Sequence, residues 1–287
     1  MYFGSVKFFK NLLLLLIVLA IAISATFAIV YHHRYVQLRD GTGHSGTHGG
    51  NGSYPPVSTD AISYQTLYPD FYAPQPYDAL DRQSGNIYLT FDGAVSSCTA
   101  DLLALLDEKG VQATFFLSGT TDGTDAETIR AIAAAGHTIG MSSWSADYQT
   151  LYSSVESYLA DVYQLFTYIQ QTTGITPTVF RFPGGSINSY NAAFYQELIA
   201  EMIRRGFVPY DWNINVADIN SSYSTQTVLD TVSERLRVMD RGIILLRPDE
   251  FDLRILPGLL DLLPDSGFTC VPLESTTKPV LFAYPES

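Results

Sequence analysis

The 287 residues suffice for one large domain or two small ones, and the 46% apolar content supplies an ordinary core, which excludes global disorder. The formal charge is -13, and from Gly41 onward 12 basic residues face 28 acidic ones. A surface of that sign repels nucleic acid and polyanionic polymers and leaves a neutral or cationic partner.

Residues 1–11 form a short N-terminus. Residues 12–31, LLLLLIVLAIAISATFAIVY, run 20 positions without a charge. At about 1.5 Å per residue that length matches a ~30 Å hydrocarbon core, so the run predicts one membrane span. A cleaved signal peptide is the rival, with Thr26-Phe27-Ala28 as the peptidase site, although its apolar region normally covers only about 7–15 residues. Lys7 and Lys10 before the run nearly balance Arg34 and Arg39 after it, so the positive-inside rule does not orient it.

Residues 32–58 read as a linker, because the stretch GTGHSGTHGGNGS has almost nothing to bury. His44 and His48 lie four apart in that coil and share no helix face, which argues against a metal pair. Residues 59–85 are rich in Tyr and Pro and too aromatic to remain solvated. They are expected to wrap the domain as a strap, with a sugar-stacking surface as the alternative.

From residue 86 to 287 short apolar runs alternate with amphipathic stretches. Strands are predicted over 87–91, 113–117, 138–141, 179–181, 207–210, 243–246 and 268–271. Helices are predicted over 100–109, 126–135, 155–173, 191–205, 225–238 and 253–263. Gly110, Gly136 and Gly174 stop the first three, and Pro264 and Gly267 the last. Such alternation predicts an α/β fold of parallel strands with right-handed crossovers, either a barrel or an open sheet.

The strand 87–91 runs into Thr90-Phe91-Asp92-Gly93, which sets a carboxylate at a strand's C-terminal edge, where α/β folds collect functional groups. Further along come Gly136-His137-Thr138-Ile139-Gly140-Met141, then Ser142-Ser143-Trp144-Ser145-Ala146. Arg181-Phe182-Pro183-Gly184-Gly185, Asp211-Trp212 and Leu245-Leu246-Arg247 follow. In this order and spacing the five motifs resemble those of the polysaccharide deacetylases that carry the NodB-homology domain.

The resemblance implies a distorted (β/α) barrel of seven strands over 86 to 273. In that family an aspartate and two histidines hold zinc or another divalent ion, a second aspartate is the base, and a histidine is the acid. An amide is a poor electrophile and water a poor nucleophile, and a Lewis acid beside a placed base addresses both.

Aligned without a gap, Asp92 falls on the base position and Gly93, Ser142 and Ala146 on the ligand positions; with a one-residue deletion Asp92 stands at either the base or the ligand position. Arg247 replaces the acid histidine, and no metal cofactor is expected. Arginine stays protonated and cannot shuttle a proton. Asp92, Arg181 and Asp211 are the residual catalytic positions, the arginine pairing with Asp92 and Asp211 steadying the arginine. Pro183, Gly184, Trp212 and Leu245 would line the substrate groove. His137 falls outside the ligand positions and reads as structural. Cys98 and Cys270 are expected as unpaired thiols, with a disulfide as the alternative because the first and last barrel strands would be neighbours.

The resemblance implies an extracytoplasmic domain with residues 1–11 in the cytoplasm, so the expectation is a membrane-anchored, deacetylase-like protein. It would have lost ordinary metal-dependent hydrolysis and would bind N-acetylated cell-wall glycan. One alternative is an active enzyme with a rebuilt carboxylate site of Asp92, Asp147 and Asp249 around an oxygen-preferring ion. Another is an envelope scaffold that binds a protein partner.

Overall fold

The computed structural model describes residues 62–74, 83–119, 125–216 and 222–282, all within one compact unit over 60–287. The expected membrane span, the linker and His44 and His48 lie outside the described residues. Among the described residues no helix is long and apolar enough to cross a membrane.

Among the described residues eight strands form one sheet: β1 (Asn86–Gly93), β2 (Thr114–Leu117), β3 (Thr138–Met141), β4 (Val179–Phe180), β5 (Val208–Pro209), β6 (Ile214–Asn215), β7 (Gly242–Leu246) and β8 (Thr269–Cys270). Every pairing is parallel. The order is β5-β4-β3-β2-β1-β7-β6, and β8 pairs with the start of β1. The expected seven-stranded barrel is therefore corrected to a curled half-barrel of eight strands, with β5 and β6 at its two edges. β6 lies outside the predicted strands because it follows β5 with no helix between them, which breaks the alternation that marks the others.

The gap is filled by the segment after β8. The Tyr210 hydroxyl donates to the carbonyls of Glu274 at 2.7 Å and Thr277 at 2.5 Å. Leu273 is fully buried, and its amide donates to Thr114 Oγ1 at 2.8 Å.

Among the described residues seven α-helices accompany the sheet: α1 (Thr99–Glu108), α2 (Ala126–Ala134), α3 (Tyr148–Leu151), α4 (Val155–Thr173), α5 (Tyr195–Arg204), α6 (Thr225–Leu236) and α7 (Glu250–Asp265). α4 has the predicted bounds because both ends are encoded. Ser154 Oγ accepts from the Ser157 amide at 3.1 Å, and Gly174 takes the left-handed φ of +75° that ends the helix. Its periodic residues Tyr158, Val162, Leu165, Phe166 and Ile169 are all buried.

α5 starts four residues late, since the Asn191 side chain serves a turn, accepting from the Asn188 amide and donating to the Ser186 carbonyl. α7 starts three residues early, since Asp249 accepts from the Asp252 amide as its N-cap, and Pro257 and Pro264 lie within it.

Residues 62–74, the described part of the strap, wrap α4 and α5. Phe71 is fully buried, its ring 5.0 Å from Phe166 and 4.8 Å from Phe207, and Tyr68 stacks on Tyr163 at 4.3 Å. Cys98, buried at the start of α1, and Cys270, half-buried on β8, are both free thiols. Burial raises the Cys270 pKa to about 11, which keeps it protonated.

Candidate functional site

The carboxyl ends of the strands surround a cavity of about 380 Å³. Asp92 and Gly93 close β1, Ser142 and Ser143 follow β3, Pro183 and Gly184 follow β4, and Leu245 and Arg247 come from the end of β7. Trp212 enters from beyond β5, and Ala146, Tyr148 and Ser118 complete the wall. The four residues expected to bind substrate, Pro183, Gly184, Trp212 and Leu245, are thus brought together with the emptied ligand positions.

Asp92 lies beside a buried guanidinium, with its Oδ2 3.9 Å from Arg181 Nη1. Burial raises the Asp92 pKa, and Arg181, the Ser142 hydroxyl bonded to it and Arg247 pull it back. Arg181 is itself 0% exposed, and burial lowers its pKa to about 10 against the pull of Asp92 and Asp211. Its Nε donates to the Tyr210 carbonyl at 2.9 Å and its Nη2 to the Asp211 carbonyl at 3.4 Å, and its plane lies 4.2 Å from the Phe116 ring centre.

The expected pairing of Arg181 with Asp92 holds. That of Asp211 with Arg181 takes another form: the main-chain carbonyl, not the carboxylate, meets the guanidinium. The carboxylate accepts from the amides of Ser186 at 2.8 Å and Phe282 at 2.7 Å and from the Ser186 hydroxyl. Asp211 is a buried anchor between the loop after β4 and the C-terminal segment; burial raises its pKa, and these bonds offset it.

The loop that carries positions 142–146 is fixed from α4. Asp161 Oδ1 accepts from the Trp144 amide at 2.7 Å, and Oδ2 from the Ser145 amide at 2.9 Å. The backbone that carries positions 144 and 145 is thereby held in place.

Asp147 and Asp249 do not reach the cavity. Asp147 caps α3, with its Oδ1 accepting from the Gln149 amide and its Oδ2 from the Thr150 hydroxyl, which lowers its pKa. Asp249 caps α7. The proposed carboxylate trio with Asp92 is therefore corrected, because two of its members are spent on helix N-termini.

Among the described residues no three His, Cys, Asp or Glu side chains converge to hold a metal ion. At the cavity one carboxylate faces hydroxyls, and residues 93 and 146 offer no donor, so the residues present do not fit a catalytic zinc with its three protein ligands. His137 is structural, as expected: its Nδ1 accepts from the Ala113 amide at 3.1 Å, and burial lowers its pKa.

Ser118, Ser143 and Tyr148 were not anticipated. Ser118 follows the predicted strand 113–117 and Ser143 follows Ser142, so the rule that function gathers at strand ends points to both. Nothing in the sequence singles out Tyr148, which reaches the cavity only because Asp147 starts a helix there.

The polysaccharide deacetylase family model matches residues 80–203. A Bacillus subtilis protein named as a polysaccharide deacetylase is 27% identical over 200 residues, covering 68% of this chain and 69% of that protein. A peptidoglycan-N-acetylglucosamine deacetylase of Bacillus cereus is 30% identical over 146 residues, about half the length of each (51% and 51%). The solved catalytic domain of a peptidoglycan N-acetylglucosamine deacetylase from Eubacterium rectale superposes with a TM-score of 0.67 at 28% identity, covering 72% of this chain and 97% of that one. The resemblance to the polysaccharide deacetylases is shown in sequence and in fold.

Proposed function

We propose that this chain, similar through its half-barrel to the polysaccharide deacetylases, binds N-acetylated glycan at the cell envelope and has lost the family's metal-dependent hydrolysis. One observation carries this: the cavity keeps Asp92, Arg181, Pro183, Trp212 and Leu245 in place, while residues 93, 142, 146 and 247 are Gly, Ser, Ala and Arg.

The kept residues suit an acetamide. Leu245 is an apolar floor for a methyl group, Asp92 is an acceptor for an amide N–H, and Ser142 is a hydroxyl beside it. The residues lost are those that make water attack. Arg247 holds a fixed charge where a proton donor would stand. The Bacillus cereus and Eubacterium rectale relatives are peptidoglycan N-acetylglucosamine deacetylases, N-acetylglucosamine is an uncharged sugar, and a net charge of -13 tolerates such a ligand where it repels polyanions. Residues 12–31 would anchor the domain, with residues 32–58 giving it reach from the outer face of the membrane.

Calorimetric titration of the full chain in detergent with N-acetylglucosamine oligomers, and separately with zinc, tests both halves. Saturable saccharide binding, no Asp92-dependent zinc binding and no acetate release are expected. Micromolar zinc binding that Asp92→Asn abolishes overturns the loss of hydrolysis, and absence of saccharide binding overturns the rest.

A further inference from the structure

A second surface suited to a sugar ring lies beside the cavity. Tyr190, in the loop between β4 and α5, is 52% exposed, and its ring makes a T-shaped contact with Tyr148 at 5.6 Å between centres. Tyr148 lines the cavity. In a T-shaped pair one ring's edge meets the other's face, so at least one face of Tyr190 is left uncovered by its neighbour.

The loop that presents this ring is firmly fixed. Asn188 Nδ2 donates to the carbonyls of Pro183 at 3.2 Å and Gly185 at 3.1 Å, while its Oδ1 accepts from the amides of Tyr190 at 2.9 Å and Asn191 at 3.2 Å. Asn191 Nδ2 donates to the Ser186 carbonyl at 3.2 Å, and the Asp211 carboxylate holds Ser186 from below. A large ring kept exposed on a pre-ordered loop loses little freedom on binding, which is the property of a recognition residue. An aromatic face matches the apolar C–H face of a pyranose, and the phenolic edge meets its hydroxyls.

We propose that Tyr190 is the stacking platform for the sugar unit next to the one in the cavity, so that the site reads a neutral N-acetylated oligosaccharide and not a single sugar. This rests on the glycan reading above. It also moves the sugar-stacking role away from the strap, where Tyr68 and Phe71 are taken up in packing against α4 and α5.

The test is titration of the full chain, and of Tyr190→Ala, Tyr190→Leu and Tyr190→Trp, with N-acetylglucosamine and with its tetramer. The tetramer is expected to bind the parent chain more tightly than the monosaccharide. Tyr190→Ala and Tyr190→Leu should weaken the tetramer roughly 3- to 10-fold and leave the monosaccharide unchanged, with Tyr190→Trp restoring the tetramer. Equal tetramer affinity for the parent, Ala and Leu variants overturns the platform while leaving the glycan reading intact. A parent chain that binds neither saccharide overturns that reading and the platform with it. The Leu variant keeps apolar bulk, so a loss shared by Ala and Leu and repaired by Trp belongs to the aromatic face and not to folding.

Discussion

Gly93 differs from the other emptied positions in its backbone. Its φ is +131°, a value that side-chain-bearing residues rarely adopt, while the nearest atom to an added Cβ is Pro248 Cδ at 3.9 Å. The obstacle to an aspartate there is conformation and not space. Zinc binding should therefore return by another route: Ser142→His with Ala146→His, using the native Asp92 as third ligand, is expected to bind zinc at micromolar concentration by calorimetry. Adding Gly93→Asp to that pair should cost roughly 1–3 kcal/mol of stability. A folded double variant that ignores zinc would mean that the loop after β3 has shifted beyond ligand reach.

Asp252 offers a prediction of a different kind. It is 0% exposed in the first turn of α7; one carboxylate oxygen accepts from the Arg247 amide, and Oδ1 has no hydrogen-bond partner. Burial raises its pKa to about 7 from an ordinary 3.8. Between those values the folded chain holds a proton that the unfolded chain has released, so stability falls as pH rises, and the whole cost is present above about pH 7. At ~1.4 kcal/mol per unit the cost reaches at most about 4 kcal/mol. Asp252→Asn keeps an acceptor for the Arg247 amide and removes the titration. Its urea-unfolding free energy should exceed the parent's at pH 8, with the gap closing as pH falls to 4.

At the scale of elements, one buried side chain gathers four main-chain carbonyls of the strap. Arg205 is fully buried: Nε donates to Glu201 Oε1 at 2.7 Å, Nη1 to the carbonyls of Tyr68 and Phe71, and Nη2 to those of Tyr64 and Leu67. Arg205→Ala leaves those carbonyls without their donor and removes half of Glu201's pairing, which should cost roughly 3–5 kcal/mol. Arg205→Lys should recover little, because one ammonium with three donors cannot span five acceptors. Hydrogen exchange should rise over residues 62–74 in both variants, and saccharide binding at the cavity, whose lining includes no residue of 62–74, should hold. Composition alone foretold that the strap would pack, but not on which helices. Its partner is a basic residue reaching main-chain carbonyls, and a sequence gives no sign of where carbonyls will point. α4 was legible to the residue because its apolar period, its serine cap and its glycine stop agree. α3, one turn long, is too short to carry a helical period, and β6 follows β5 with no helix between, which breaks the alternation that marks the other strands.

For the whole molecule, the strand-end rule and the five motifs point to the cavity lined by Asp92, Pro183, Gly184, Trp212 and Leu245, while Arg181 and Asp211 lie buried behind it. What they left out is how the half-barrel is finished. β1 pairs with β2 nearby in the chain and with β7 and β8 far along it, so the sheet is complete only when the C-terminal third has arrived. The segment after β8 then supplies Leu273 to the interior, acceptors for the Tyr210 hydroxyl, the Phe282 amide to Asp211, and the Phe282 ring, 4.9 Å from that of Trp212. Stability and recognition are thereby separable along one stretch of chain. Ending the chain after Pro272 removes a buried leucine and two hydrogen-bond acceptors, a loss of about 4–7 kcal/mol and enough to unfold a domain of ordinary stability. Ending it after Val280 keeps Leu273, Glu274 and Thr277 but takes away the contacts that hold Asp211 and Trp212 from outside. That shorter truncation should melt only a few degrees below the parent yet bind N-acetylated oligosaccharide more weakly, measured by thermal unfolding and calorimetry on the same sample. Parent-like affinity in a folded chain ending at Val280 would show that Trp212 is held well enough from within the sheet and that the C-terminal segment serves the fold alone.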